Sequence, residues 1–558
     1  MYITRAKQRL IYIPLGLLLV ATIWLVPHME YIRAPATPLW QPVIYADSNI
    51  DYSQQQLNEQ MREYYPFQRC RDSLLAADPR RSKIELKGDH VVNLTDTVRL
   101  SVILFDGYGK PMTTGGDHLR ARLYTYSVDA SVPGNVLDHR NGTYTVTFEA
   151  LWTGWAAVEV EVLFPKEIIS SALRIRTIWN FSDLRANFYN HNSSESSLCN
   201  PDVQALERFY GKSAICNFSY WNKTLQWFCG KPLVQHLSCK HWVEISRSWS
   251  NYTKGTSECE QELSKRELNA IPTTVFIKIL PKLSAKSQVT VEKPHIACID
   301  YNTTRLWYKS NPTGYFYKGI WILRHCKGLS SIDGKCLSNK TIYFWGDSTL
   351  LQWHDFLLSS LTFKCKTLQT AIPEWRRTTT CFCRRYNITL NWMPHNIPVS
   401  PFRSENLIHF FSNTFYDRVS NVKNNSDVIL IIHLFAHVQM YPLRFFALHV
   451  VEIRKIIETI FRNVHNVRIF IKLPHTFREM RHNNWKIVQP DFTGIIYTDI
   501  IRNVFKGLYQ KIIVLDNQDA TVAIRNLPLH PEHKVVKAMI YQLLSYICNN
   551  SGSAKIFV

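Results

Sequence analysis

Acidic side chains are scarce in this 558-residue chain: 44 Asp and Glu stand against 65 Lys and Arg, a formal charge of +21. Such an imbalance invites an anionic partner. The basic residues are nevertheless scattered, and no nucleic-acid-binding motif accompanies them. Nucleic acid is therefore set aside in favour of acidic glycans or glycoproteins, a membrane surface, or equally a merely solvated basic face. Paired metal-ligand spacings are missing too. Cys381-Phe382-Cys383 has a single-residue gap and no second close Cys/His pair, so no metal site is expected. The 13 cysteines cluster between Cys199 and Cys383, with Cys70 and Cys548 as outliers, and read as disulfides with one thiol left over. The length exceeds what one core organises, and two or three domains are expected.

A convincing cleavage site is absent near the N-terminus. Arg5, Lys7 and Arg9 precede an apolar run from Leu10 to Val26, but the following Arg33-Ala34-Pro35-Ala36 would leave proline beside the cut. Residues 1–27 are accordingly expected to be an uncleaved signal-anchor with its positive end in the cytosol, a signal peptide being the alternative. The run spans about 25 Å as a helix, which suits a thin early-secretory bilayer. A Golgi membrane protein with a luminal catalytic part is the expectation, and a secreted chain the alternative. Twelve Asn-x-Ser/Thr sequons agree with luminal exposure: Asn93, Asn141, Asn180, Asn192, Asn217, Asn222, Asn251, Asn302, Asn339, Asn387, Asn424 and Asn549. Residues 28–75, with Pro35, Pro38, Pro42 and no sustained period, read as a stem.

From Ser82 to about Leu173 the pattern is short alternating strands: Val98 to Leu104, Leu119 to Tyr126, Thr143 to Phe148 and Ala156 to Leu163. Asp106-Gly107, Gly115-Gly116 and Asn141-Gly142 supply turns between them. This spacing predicts an antiparallel β-sandwich over 76–185. It holds no catalytic constellation and reads as a spacer or as a module that recognises a protein partner. Residues 186–300, with Cys199, Cys216, Cys229, Cys239, Cys259 and Cys298, read as a cysteine-rich connector.

Residues 301–558 alternate strands with long helices, which predicts a parallel, helix-covered sheet, interrupted by a polar excursion from Lys364 to Asp427. In such sheets sites form at the carboxyl ends of strands. A β-prone run reaches Gly346, Asp347 follows, and Ser348 opens an apolar helix, so the hydroxyl stands at a strand-to-helix turn beside free helix-start N–H groups. His437, Asp516, Asp519 and His530 fall at the same edge. A nucleophilic serine needs a base and a group to orient that base. His530 is the candidate base, with His533 a competitor, and Asp516 or Asp519 the nearest upstream acid.

Several segments together resemble the neurexophilin and PC-esterase domain (NXPE) family. They are Trp345-Gly346-Asp347-Ser348-Thr349-Leu350-Leu351-Gln352-Trp353, Phe435-Ala436-His437 with Tyr441-Pro442, Arg478-Glu479-Met480, and His530-Pro531. The stretch Asp138 to Val162 is similar to the final hairpin of filamin-type immunoglobulin-like repeats. The resemblance implies an immunoglobulin/filamin-like β-sandwich followed by an α/β flavodoxin-like domain of SGNH/GDSL type. It makes Ser348 the nucleophile, His530 the base and Asp519, or alternatively Asp516, the orienting acid, with Gly346, Asp347 and His437 as oxyanion or substrate candidates. No permanently bound cofactor is implied, and acetyl-CoA is the implied acyl donor. The activity so implied is luminal O-acetylation of glycans through an acyl-serine. A carbohydrate esterase or a non-catalytic secreted binding glycoprotein are the alternatives. Residues 371–490 hold 16 Lys and Arg against 7 Asp and Glu, which points to sialic acid or another acidic sugar as acceptor. Two positions depart from the family pattern: Leu527 stands where relatives often carry the acid, and Phe435 where they carry glycine, which is expected to reshape the oxyanion pocket.

Overall fold

Alternation of apolar and polar side chains along Thr97–Ile103 and Thr143–Glu149 buries every second residue, the signature of strands with one face on a core. These two strands are central to a four-stranded antiparallel sheet, flanked by Lys83–Leu86 and Asn135–Asp138. It packs on a seven-stranded sheet ordered Ile320–Leu323, Gly314–Tyr317, Ala130–Pro133, His118–Thr125, Gly154–Phe164, Val275–Leu280 and Val91–Asn93. Leu100, Val102, Val146 and Phe148 meet Leu119, Leu123, Val158, Val160 and Ile277 in the shared core. The chain is seen in a computed structural model that describes residues 69–548 apart from short interruptions, the longest at 368–377 and 396–426. The expected anchor, residues 28–68 of the stem, and Asn180, Asn222, Asn251, Asn424 and Asn549 lie outside the described residues. Among those described, no helix is long and apolar enough to cross a membrane.

The larger sheet does not follow the breaks read from the sequence at 185 and 300. It takes Val275–Leu280 from the cysteine-rich stretch and Gly314–Tyr317 with Ile320–Leu323 from the segment beyond it. Between Gly154–Phe164 and Val275–Leu280 lie the helix Lys166–Ile178 and a separate five-stranded sheet within residues 183–248, tied by Cys199–Cys229 and Cys216–Cys239. Long-range bridges Cys70–Cys259 and Cys336–Cys548 tie down the two outlying cysteines, and Cys298–Cys326 and Cys365–Cys383 complete six. Cys381 is buried outside these bridges.

The C-terminal part is α/β. Its strands β1 (Lys340–Gly346), β2 (Ile388–Pro394), β3 (Asp427–His433), β4 (Val467–Lys472) and β5 (Ile512–Leu515) run parallel in the order β2-β1-β3-β4-β5. The short strands Thr379–Cys383 and Lys366–Thr367 extend the β2 edge in antiparallel fashion. The polar excursion expected over 364–427 therefore contains a strand of the sheet. Its Asn391 is buried, accepting a hydrogen bond from Thr380 Oγ1 at 2.9 Å, so a polar residue hides a core strand from a hydrophobicity reading. Helices α1 (Ser348–Ser360), α2 (Leu443–Asn463), α3 (Thr493–Val504), α4 (Gln518–Ala523) and α5 (His533–Ser545) accompany the sheet. Trp353 and Leu357 of α1 and Val536, Met539 and Ile540 of α5 share one core with Ile342, Phe344, Ile429 and Ile431. Helices α2 and α3 meet through Phe446 stacked on Tyr497, ring centres 3.7 Å apart.

Charged side chains join the β-rich part to the α/β part. Glu161, on Gly154–Phe164, pairs with Arg478 at 2.7 Å and with Arg525 at 2.8 Å, while Glu159 pairs with Arg525 at 2.9 Å. Arg120 pairs with the buried Asp491. Arg525 holds a left-handed backbone (φ 56°) at the root of the segment that leads to His530.

Candidate active site

β1 delivers the chain to Gly346, where a side chain would have no room: a Cβ there would stand 2.4 Å from the His433 carbonyl oxygen on β3. The glycine thus permits close approach of two strand ends. Asp347 makes the turn and points inward, with no exposed surface. Its Oδ1 accepts from the Thr349 N–H at 2.9 Å and the Thr349 hydroxyl at 2.7 Å, and its Oδ2 accepts from the Ala436 N–H at 3.1 Å. It therefore caps α1 and pins the segment after β3, and does not face a substrate. Burial pushes its carboxyl upward, but the fields of His433, His437 and Lys472 and the Thr349 bonds prevail and hold it far below the ordinary carboxylate range.

Ser348, first residue of α1, is left partly exposed. Its Oγ lies 2.8 Å from Nε2 of the exposed His530. That is hydrogen-bond distance for a hydroxyl and its base. The segment carrying His530 is fastened on both sides: Gln352 Nε2 donates to the Pro531 carbonyl at 3.1 Å, and Asn526 Nδ2 donates to the carbonyls of Pro528 at 2.8 Å and Thr476 at 2.9 Å. His533, the competing histidine, sets its ring beside Phe356 at 4.9 Å on the α1–α5 seam.

Both candidate acids are buried beyond the carboxyl end of β5. Asp516 Oδ1 accepts from the Gln518 N–H at 2.9 Å, and Asp519, in the first turn of α4, accepts from the Thr313 N–H at 2.7 Å. His437 Nδ1 stands 2.7 Å from Nε2 of His395, which follows β2 and donates its N–H to the Gly346 carbonyl at 2.8 Å. Phe435 lies beneath the same edge, its ring 6.2 Å from that of His433. Its buried ring joins those of His475, Phe477 and Tyr497 at 6.0–6.3 Å and lies against Gly494.

Sequence reasoning overlooks four further groups at this edge: His395, His433, Lys472 and His475. Each ends or follows a parallel strand, and a polar residue closing an apolar run was the available signal. His433 is lowered to about 3 by burial and then by Lys472, and is neutral at working pH.

An accessible serine–histidine pair at the carboxyl edge of a parallel sheet, behind a β-rich N-terminal part, defines a chain of two unlike halves. Comparison with known families finds each half. Residues 321–548 match the NXPE family member 4-like C-terminal domain, and residues 56–257 match neurexophilin. The chain belongs to the NXPE family. Six disulfides and the neurexophilin match place it in the secretory pathway. The seven sequon asparagines within the described residues, Asn93, Asn141, Asn192, Asn217, Asn302, Asn339 and Asn387, are all exposed.

Proposed function

We propose that the chain is a luminal glycan O-acetyltransferase of SGNH type that works through an acyl-serine. The observation that carries this reading is the 2.8 Å contact between Ser348 Oγ and His530 Nε2. The strand order β2-β1-β3-β4-β5 favours a flavodoxin-like SGNH domain, and Ser348 lies where that order reverses, between β1 and β3. The two packed sheets favour an immunoglobulin-like N-terminal module.

In this mechanism His530 takes the Ser348 proton as Oγ attacks the carbonyl carbon of acetyl-CoA. The tetrahedral oxyanion rests on the Ser348 backbone N–H, with Gly346 and His437 beside it. Collapse expels coenzyme A as a thiol that carries the proton from His530. A sugar hydroxyl then attacks the acetyl-serine and gives its proton to His530, which returns it to Ser348. Asp519, or alternatively Asp516, orients the imidazole. The acceptor is sialic acid or another acidic sugar, matched to the excess of basic residues. Residues 1–27 anchor the chain in the Golgi membrane, or are removed to leave a secreted form. Water in place of the sugar hydroxyl makes the same site a carbohydrate esterase.

One observation favours a second role for the β-rich part. Trp155 is 59% exposed and Phe276 53%, on the sheet that also meets the α/β part, and Tyr126, in the turn after His118–Thr125, is 82% exposed. Isolated from catalysis, such rings suit a protein or glycan partner, the function of a non-catalytic binding glycoprotein. Wild type and Ser348→Ala expressed in cells lacking the endogenous protein separate the readings, with O-acetyl groups on released sialylated glycans measured by mass spectrometry. Transfer predicts a gain with wild type that Ser348→Ala abolishes. Equal O-acetylation with both, at equal expression and localisation, refutes it.

A further inference from the structure

We propose that Lys472 is a positioning residue for the Ser348–His530 pair, holding both arms of the site from beneath; the inference rests on the serine-dependent reading above. Lys472 ends β4 and is buried. Its neighbours define their own tautomers. His433 Nδ1 lies 2.8 Å from the Lys472 carbonyl, which only accepts, so Nδ1 carries the proton and Nε2 accepts from Lys472 Nζ at 2.9 Å. His475 Nε2 donates to the Leu529 carbonyl at 2.8 Å, so its Nδ1 accepts from the same Nζ at 3.1 Å. One ammonium thus serves two neutral imidazoles.

The His475 imidazole leads to one arm, and the field of the ammonium on Asp347 reaches the other. His433 Nε2 stands 3.8 Å from Asp347 Oδ2, and Asp347 immediately precedes Ser348. Leu529 immediately precedes His530. The ammonium also lies 5.6 Å from the ring of Trp353 on α1. A hydrophobic side chain at the end of β4 would satisfy the core at lower cost than a buried cation. What the cation adds is a field that, after those of His433 and His437, favours the ionised form of Asp347, and the ionised carboxylate caps α1 and holds Ala436.

The brace is sensitive to pH. Burial lowers Lys472 to about 7, against the pull of Asp347. The groups facing the cluster are Asp347 from the β1–α1 turn, His433 and His437 from β3 and the segment after it, His475 from its own loop, and His395 beyond His433. Burial, and then Lys472, hold His475 well below the usual histidine range. Of Asp347, His433, His475 and Lys472, Lys472 therefore changes charge near neutrality. Below about pH 7 the ammonium is present and the brace intact, and above it the charge is lost.

The test is the rate at which a fluorophosphonate probe labels Ser348 in the full chain, which needs neither the acyl donor nor the acceptor. Wild type, Lys472→Met and Ser348→Ala are compared on both sides of pH 7, with thermal melting of each. Lys472→Met is expected to melt cooperatively and to label at least about tenfold more slowly than wild type below neutrality, since small misplacements of a reacting pair are costly. The ratio is expected to shrink above neutrality, as wild-type Lys472 loses its proton. His475→Phe, which keeps a ring among Phe435 and Phe477 and cuts the link to Leu529, is expected to slow labelling likewise, and it carries the test alone if Lys472→Met fails to fold. Rates equal to wild type, or a ratio independent of pH, overturn the role of Lys472. Wild type that labels no faster than Ser348→Ala overturns the serine-dependent reading itself.

Discussion

Ser348 Oγ and His530 Nε2 lie 2.8 Å apart although 182 positions separate them in the chain. Helix packing brings them together. Ser348 begins α1 and His530 precedes α5, and both helices bury their apolar faces in one core against the same side of the sheet. The two helix starts consequently share an edge, so the pair inherits its geometry from the core.

Gly346→Ala tests the approach of β1 to β3. The added methyl meets the His433 carbonyl oxygen at 2.4 Å, and backbone cannot rotate aside as a side-chain tip can. Overpacking of this kind is expected to cost about 1–3 kcal/mol. The expected outcome is a lower melting temperature with slower probe labelling of Ser348, whereas an unchanged melt would show that the strand ends yield.

The join between the two halves gives a graded comparison. Arg478→Met leaves Glu161 buried with less countercharge and is expected to destabilise by about 3–5 kcal/mol. Lys534→Met removes an ion pair with Asp129 whose side chains are 39% and 63% exposed, and is expected to change stability by less than about 1 kcal/mol. Denaturant unfolding of both variants checks the order, and a reversal would move the junction's strength from the Glu159–Glu161 strand to the exposed rim.

Glu167, in the first turn of Lys166–Ile178, is raised from 4.5 to about 7 by burial and then by the nearby Asp117. The folded chain therefore holds this proton more tightly than the unfolded chain. The associated stability is fully present below 4.5 and is lost as pH rises to about 7. Glu167→Gln does not ionise, so its melting temperature relative to wild type is expected to rise across that window. A difference that is flat with pH would contradict the assignment.

Much of this architecture is legible in the sequence because apolar runs record it. The run into Gly346, the apolar segment after Ser348, and the patterns at 428–435, 443–462 and 467–473 correspond to β1, α1, β3, α2 and β4. β2 is concealed because Asn391 interrupts its hydrophobicity and finds its partner only in the folded sheet. Val275–Leu280 alternates cleanly, yet its membership of the larger sheet depends on pairing with Gly154–Phe164, more than a hundred residues away in sequence. The buried groups beneath the site are the least legible. A lysine closing a strand reads as solvated, and only the convergence of His433 and His475 on its Nζ reveals an inward role. Asp347 likewise reads as a substrate-facing acid and proves to be a helix cap.

The central claim is that Ser348 carries an acetyl group during turnover. The direct measurement is to incubate the full chain with isotopically labelled acetyl-CoA, without acceptor, and to analyse the peptide containing Ser348 by mass spectrometry. Labelled acetyl on Ser348 in wild type, and on no residue of that peptide in Ser348→Ala, is the predicted result. A folded wild-type chain that acquires no label there, or acquires it equally in Ser348→Ala, would contradict the account.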